Sequence, residues 1–292
     1  MARLKLFLAF CALVILAAGV FGVAYYWKNY FRPNWEVTQE IEGTKVGGTN
    51  RELPDLGLRD FAAAEDLLVQ GELQAARDRL YYLMEFYPDS SAVPKAKHII
   101  GEINLDLLLS RTPIPGKEEH VVKRGDLLAV ISRKYQTSIN YIMRAGGRTN
   151  HVIFPDDRLV VYPLNFKMRI SLGKKTITIL TPEDDKFFKE YEIRELNLPP
   201  QLKAPASAKI ADMVAWYDGR MVNFESSNYF DANKWIRMDK AGLFIRPYEP
   251  DAKDNADPES SNANPFGAMV DRADLEEMFA YLRPSNPVTL VP

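Results

Sequence analysis

The apolar positions change rhythm several times along this chain of 292 residues. Residues 6–27, LFLAFCALVILAAGVFGVAYYW, form an uncharged run of 22, and about 20 residues let a helix cross the hydrocarbon core. Arg3 and Lys5 precede the run, and Tyr25, Tyr26 and Trp27 end it at headgroup level. A cleaved signal has a shorter apolar stretch followed by small residues, so the pattern predicts an uncleaved transmembrane helix over 1–28. Residues 29–56, with Gly43, Gly47, Gly48 and Pro54, read as a polar tether.

Helical spacing takes over at 57–111. Phe61, Ala64, Leu67 and Leu68 are followed by Leu73, Ala76, Leu80 and Leu83. Gly71 separates the first two helices, Pro88 and Asp89 end the second, and Ser91 is placed to cap a third. The segment SRTPIPGKEE, 110–119, reads as a Pro/Gly linker.

A compact strand–helix–helix–strand unit is predicted over 118–164. Val121 and Val122 begin a strand, Gly125-Asp126 turns it, and Asp126 is placed to cap a helix striped by Leu127, Leu128, Ile131 and Tyr135. Ser138 caps a second helix, Gly146-Gly147 ends it, and RLVVYP returns as a strand.

From 165 to 292 the period becomes two. Met168 and Ile170, then Ile177 and Ile179, alternate with polar residues, with turns at Gly173-Lys174 and Glu183-Asp184-Asp185. Further strands are predicted in AKIADMVAWYDGRMVNF, NKWIRMD, GLFIRP and PVTLV, with a helix over 272–283 whose Leu275, Met278 and Leu282 face the core. Gly267-Ala268 reads as a tight small-residue loop before that helix. The fold class is therefore α+β and multidomain: a transmembrane helix, a helical hairpin, a βααβ module and a mainly-β domain.

Net charge is −2, so nothing points to nucleic acid. Cys11 is the only cysteine and lies in the apolar run; the histidines are His98, His120 and His151. No zinc spacing arises, and no metal or cofactor is expected. Asp251, Asp254 and Asp257 lack the glycine and ligand order of an EF-hand loop.

Three resemblances refine this picture. Gly71, Ala76, Leu80, Leu83 and Pro88 fall at the spacing of a tetratricopeptide repeat. One repeat is short of the three or so that a solenoid needs, so a helical spacer is expected, with a protein partner through 57–111 as the remaining role. HVVKRGD, ISRKY and FPDDRLVVYP resemble a LysM domain, a family that binds N-acetylglucosamine chains of peptidoglycan or chitin. The family's sugar groove maps onto Gly125, Asp126, Leu127 and Leu128, opposite Val152, Ile153, Phe154 and Pro155. Leu127 stands where the family commonly has Thr, Gly146 where it has Asn and Asp156 where it has Gly.

The C-terminal stretch resembles an L,D-transpeptidase (YkuD-like) domain, at ISLGKKTITILTPEDDKFFKEYEI and ADLEEMFAYLRPSNPVTLV. That family acts through a Cys thiolate, a His base and an oxyanion hole. Its Cys position falls at Gly267 or Ala268, its following Arg at Met269 or Val270, and its base near Ile245-Arg246-Pro247. No Cys or His occurs beyond His151. Ser260 and Ser261 sit in an acidic loop, 249–265, with no base partner except carboxylates. The expected function is non-catalytic binding of peptidoglycan glycan strands, with no catalytic residue. The location expected is the inner membrane, single-pass, with periplasmic C-terminal domains. The alternatives are a wall-modifying enzyme with unconventional residues and a tetratricopeptide-type envelope scaffold.

Overall fold

The computed structural model describes residues 54–148, 150–240, 242–248 and 266–292. It opens with three helices, α1 (Gly57–Val69), α2 (Leu73–Phe86) and α3 (Val93–Leu109). Gly71, at φ 78°, makes the first turn where most side chains would be strained. Phe61, Ala64, Leu80, Leu83, Ala96 and Ile100 form the seam between the helices. Ser91 does not cap α3: its hydroxyl and its backbone N–H both bond Asp55, and the N-cap position is Ala92.

The transmembrane helix expected from the sequence is not found among the described residues. Among the described residues no helix is long and apolar enough to cross a membrane. The longest, α3, has 17 residues and carries Lys95, Lys97, Glu102 and Asp106, whose charges hydrocarbon would not solvate. Residues 6–27, the tether up to 53 and the acidic loop 249–265 lie outside the described residues.

The LysM-like module is β1 (Glu118–Val121), α4 (Leu128–Lys134), α5 (Ile139–Ala145) and β2 (Arg158–Val161). β1 and β2 pair antiparallel, His120 opposite Leu159. Val122, Leu128, Ile131, Ile142, Leu159 and Val161 fill its interior.

Among the described residues the C-terminal domain holds one ten-stranded sheet. Its strands are β3 (Lys167–Ser171), β4 (Thr176–Leu180), β5 (Phe187–Glu192), β6 (Glu195–Asn197), β7 (Ala206–Tyr217), β8 (Arg220–Val222), β9 (Asn233–Met238), β10 (Phe244–Pro247), β11 (Gly267–Val270) and β12 (Pro287–Val291). The spatial order is β5-β4-β3-β12-β7-β9-β10-β11-β6, with β8 on β7. The last strand thus enters the middle, parallel to β3 and antiparallel to β7. Helix α6 (Arg272–Tyr281) packs on β9 and β10 and buries Leu275 and Met278, with Leu282 just past its end, as their spacing predicts.

These parts share one core. Leu105 and Leu108 of α3 and Tyr141 and Ala145 of α5 join Phe166, Ile170, Phe188, Tyr281 and Leu290. Helix α5 therefore has two buried faces, Ile142 inward and Tyr141 outward. Three side chains clamp it to its neighbours. Tyr141 donates to Leu108 O at 3.0 Å, Ser138 to Ala280 O at 3.1 Å and Asn140 Nδ2 to Phe279 O at 3.3 Å. The 110–119 linker is tied down as well: Lys117 Nζ donates to the carbonyls of Leu107, Ser110 and Thr112, covering the open end of α3. Burial there draws the lysine down to about 8.

Strand β5 lies at one edge of the sheet; α3 packs over it, and Tyr81 of α2 reaches the same edge. Tyr81 donates to Phe187 O and Asn104 Nδ2 to Phe188 O. Lys189 of β5, 8% exposed at its side chain, bridges Glu102 of α3 and Glu277 of α6, each at 2.8 Å.

Candidate functional site

The strand–helix turn of the 118–164 module is built around His120. His120 is buried rather than at the surface, its Nε2 2.9 Å from Asp126 Oδ2 and its Nδ1 3.1 Å from the Tyr135 hydroxyl. The same Asp126 oxygen accepts the Lys123 N–H at 2.9 Å. These bonds hold the Asp126 carboxyl below its ordinary range, the Lys123 amide contributing most. Asp126 is thus a turn residue and does not cap α4; the N-cap position is Leu127, extended and without a side-chain bond. Gly125, at φ 90°, permits the tight reversal.

The facing loop is anchored independently. Val122 N–H donates to Asp157 O, and Asp156 N–H donates back to Val122 O, both at 2.9 Å. Phe154 N–H donates to Asp157 Oδ2, which also pairs with Arg148 at 3.0 Å. The loops after β1 and before β2 therefore meet through backbone bonds.

Of the eight expected groove residues, Asp126 holds the turn and the other seven divide in two. Leu128 is buried and Ile153 packs against the interior, so these two serve the core. Leu127 is 62% exposed, Val152 46% and Phe154 63%, and Gly125 and Pro155 are open to solvent. Exposed apolar surface of this size beside fixed backbone polar groups can take a sugar, whose ring face is apolar and whose substituents hydrogen-bond.

Residues 120–161 match the LysM domain family model. The LysM match runs from His120 in β1 to the end of β2 and so includes all eight residues of the expected groove.

The other candidate, at Gly267-Ala268, has a different geometry. These residues are not a loop. They open β11, which is parallel to β10 and buried along its whole length. Gly267 adopts φ 132°, and a Cβ there would sit 2.6 Å from Phe244 O. Ala268 is fully buried opposite Ile245. Arg246, on β10, stacks over Trp235 at 5.8 Å and reaches Met269 Sδ at 3.8 Å. The Asp271 carboxylate, at the start of α6, accepts from Arg194, which keeps it below its ordinary range. Asp274, half-buried one turn on, is pushed up to about 6, first by burial and then by the Glu277 and Asp271 charges. Ser260 and Ser261 lie outside the described residues.

Several solved structures are similar to part of the chain. An L,D-transpeptidase from Stackebrandtia nassauensis matches at 14% identity over 44% of this chain and 56% of its own, with a TM-score of 0.30. A mutant L,D-transpeptidase from Enterococcus faecium matches at 14% identity, 44% and 51% coverage and a TM-score of 0.27. L,D-transpeptidase 1 from Mycobacterium tuberculosis matches at 12%, 46% and 77%, with 0.28. The chain spans about half the length of the first two. No curated protein matches.

The clamp on α5 shows in the local sequence only at its cap. Ser138 gave its capping signal, and its Oγ does accept the Tyr141 N–H. Its second bond, to Ala280, joins residues 142 positions apart, for which the local sequence holds no sign.

Proposed function

We propose that this chain binds the glycan strands of peptidoglycan through its LysM domain and catalyses no transpeptidation. The observation that carries the reading is the match over 120–161 on a βααβ unit whose two loops meet and expose Leu127, Val152 and Phe154. The place of action is the cell envelope, on the wall side of the inner membrane, where N-acetylglucosamine polymers are found.

The C-terminal domain, read from its motifs as L,D-transpeptidase-like, serves as a rigid mount. Its stretch of 128 residues, 165–292, contains neither Cys nor His, so a thiolate–imidazole pair cannot form within it. Gly267 leaves no room for a side chain, and Ala268 points into packed core.

Co-sedimentation with purified sacculi tests the reading. The wild-type chain is expected in the pellet, and Leu127→Asp in the supernatant. A wild-type chain that stays in the supernatant at every concentration would sink it. Release of product from a labelled tetrapeptide substrate would overturn the non-catalytic part.

A further inference from the structure

A cleft of about 670 Å³ lies between the LysM domain and the sheet. One wall is the first turn of α5, including Asn140. The other is the middle of β7 with Met213, β8 with Met221, and the turn carrying Asn223, Phe224 and Tyr229. It is pre-formed, which lowers the ordering cost of a ligand. Asn140 Nδ2 donates to the Tyr229 hydroxyl at 2.9 Å, which joins the two walls. Behind Tyr229, the buried Lys234 fixes the turn, donating to Tyr229 O at 2.7 Å and pairing with Glu276 at 3.0 Å.

The lining has a definite chemistry. None of its residues carries a formal charge. Two side-chain amides, a serine hydroxyl and a phenol stand beside Met213, Met221 and Phe224. A neutral saccharide suits that mixture: its ring face packs on the aromatic and thioether groups, and its hydroxyl and acetamide groups meet the Asn223 amide and the Ser226 hydroxyl, while Asn140 and Tyr229 bond each other. The peptide branches of peptidoglycan carry carboxylates, and no lysine or arginine lines the cleft to receive them.

The cleft is also joined to the LysM loops. His151, one residue before Val152, packs edge-on against Phe224 with ring centroids 5.8 Å apart. We propose that the cleft is a further saccharide subsite, continuous with the LysM loops across His151 and Phe224, so that one glycan strand occupies both. This rests on the glycan-binding reading of the LysM loops.

The test titrates the full chain with β-1,4-linked N-acetylglucosamine disaccharide and hexasaccharide. The hexasaccharide is expected to bind about tenfold more tightly, about what one or two packed aromatic contacts supply. Met221→Asp, at an exposed rim, and Phe224→Ala are expected to remove that gain and leave disaccharide affinity unchanged. Phe154→Ala is expected to weaken both ligands. A length gain that survives both cleft variants overturns the subsite and leaves the LysM reading standing. Absence of binding by either sugar sinks the LysM reading, and the subsite with it. Methyl resonances of Met213 and Met221 that shift with a sugar-free stem peptide, and not with hexasaccharide, would also overturn it.

Discussion

Gly267 faces the carbonyl of Phe244 so closely that a Cβ would lie 2.6 Å from its oxygen. Its φ of 132° is a conformation that side-chain-bearing residues rarely adopt. β10 and β11 are parallel neighbours there, so the contact lies in the sheet and not in a loop able to yield. Gly267→Ala is expected to cost about 2–4 kcal/mol, from backbone strain and overpacking together. Urea unfolding measures it. Gly267→Cys should be destabilised equally and should give no acyl transfer to a labelled tetrapeptide; turnover by that variant would contradict the strand geometry.

Asp274 gives the fold a pH dependence of unusual sign. Its folded value, about 6, lies above the ordinary 3.8. In that interval the folded state holds the proton more often than the unfolded state does. Its favourable contribution is complete below about pH 4 and is lost as pH rises through 6. Discounted for solvent screening of a half-exposed group, the loss is on the order of 1–2 kcal/mol. Asp274→Asn should be more stable than wild type at pH 7.5 and should flatten the profile between pH 4 and 6. Thermal melts across that range decide it, and unchanged slopes would refute the assignment.

The helical module is expected to be a brace on the sheet edge. Asn104 Nδ2 reaches both Phe188 O and the Tyr81 hydroxyl at 2.8 Å. Asn104→Leu removes both donations and leaves a buried carbonyl unpaired, at a cost of about 1–3 kcal/mol. Amide exchange should then quicken in β5 ahead of β12 at the sheet centre. Equal quickening in both strands would argue against a local brace.

Leu127→Asp and Phe154→Ala are expected to abolish or weaken sacculus binding without changing the melting temperature by more than a degree or two, because both side chains are more than half exposed. A matching control, Ile142→Ala, removes a fully buried side chain and should cost about 2–5 kcal/mol. If the surface variants melt as early as the control, their binding loss reports unfolding.

Local pattern was enough for most of the elements, though not for β11 or for the caps expected at Ser91 and Asp126. The helical stripes from Phe61 to Leu83, the turn at Gly71, the cap at Ser138 and the alternation of Met168, Ile170, Ile177 and Ile179 each rest on neighbours a few residues apart. Periodicity and capping act over that range, so the chain displays them directly. The eight residues of the expected groove were legible as two loops, but their division was not. Leu127 and Leu128 are adjacent and chemically alike, and only the packing of α4 turns one to solvent and the other inward.

The sequence by itself determined the α+β composition, the LysM-like module and the want of Cys and His in the last 128 residues, because residue identity and short-range period suffice for each. Tertiary structure alone decided that Gly267-Ala268 is a buried strand, since its partners, Phe244 and Ile245, come from another segment of the chain. It alone decided that α5 is clamped between α3 and α6, and that a neutral cleft opens beside it. Both depend on contacts such as Asn140 with Tyr229, 89 residues apart, which form only when the core they share has closed.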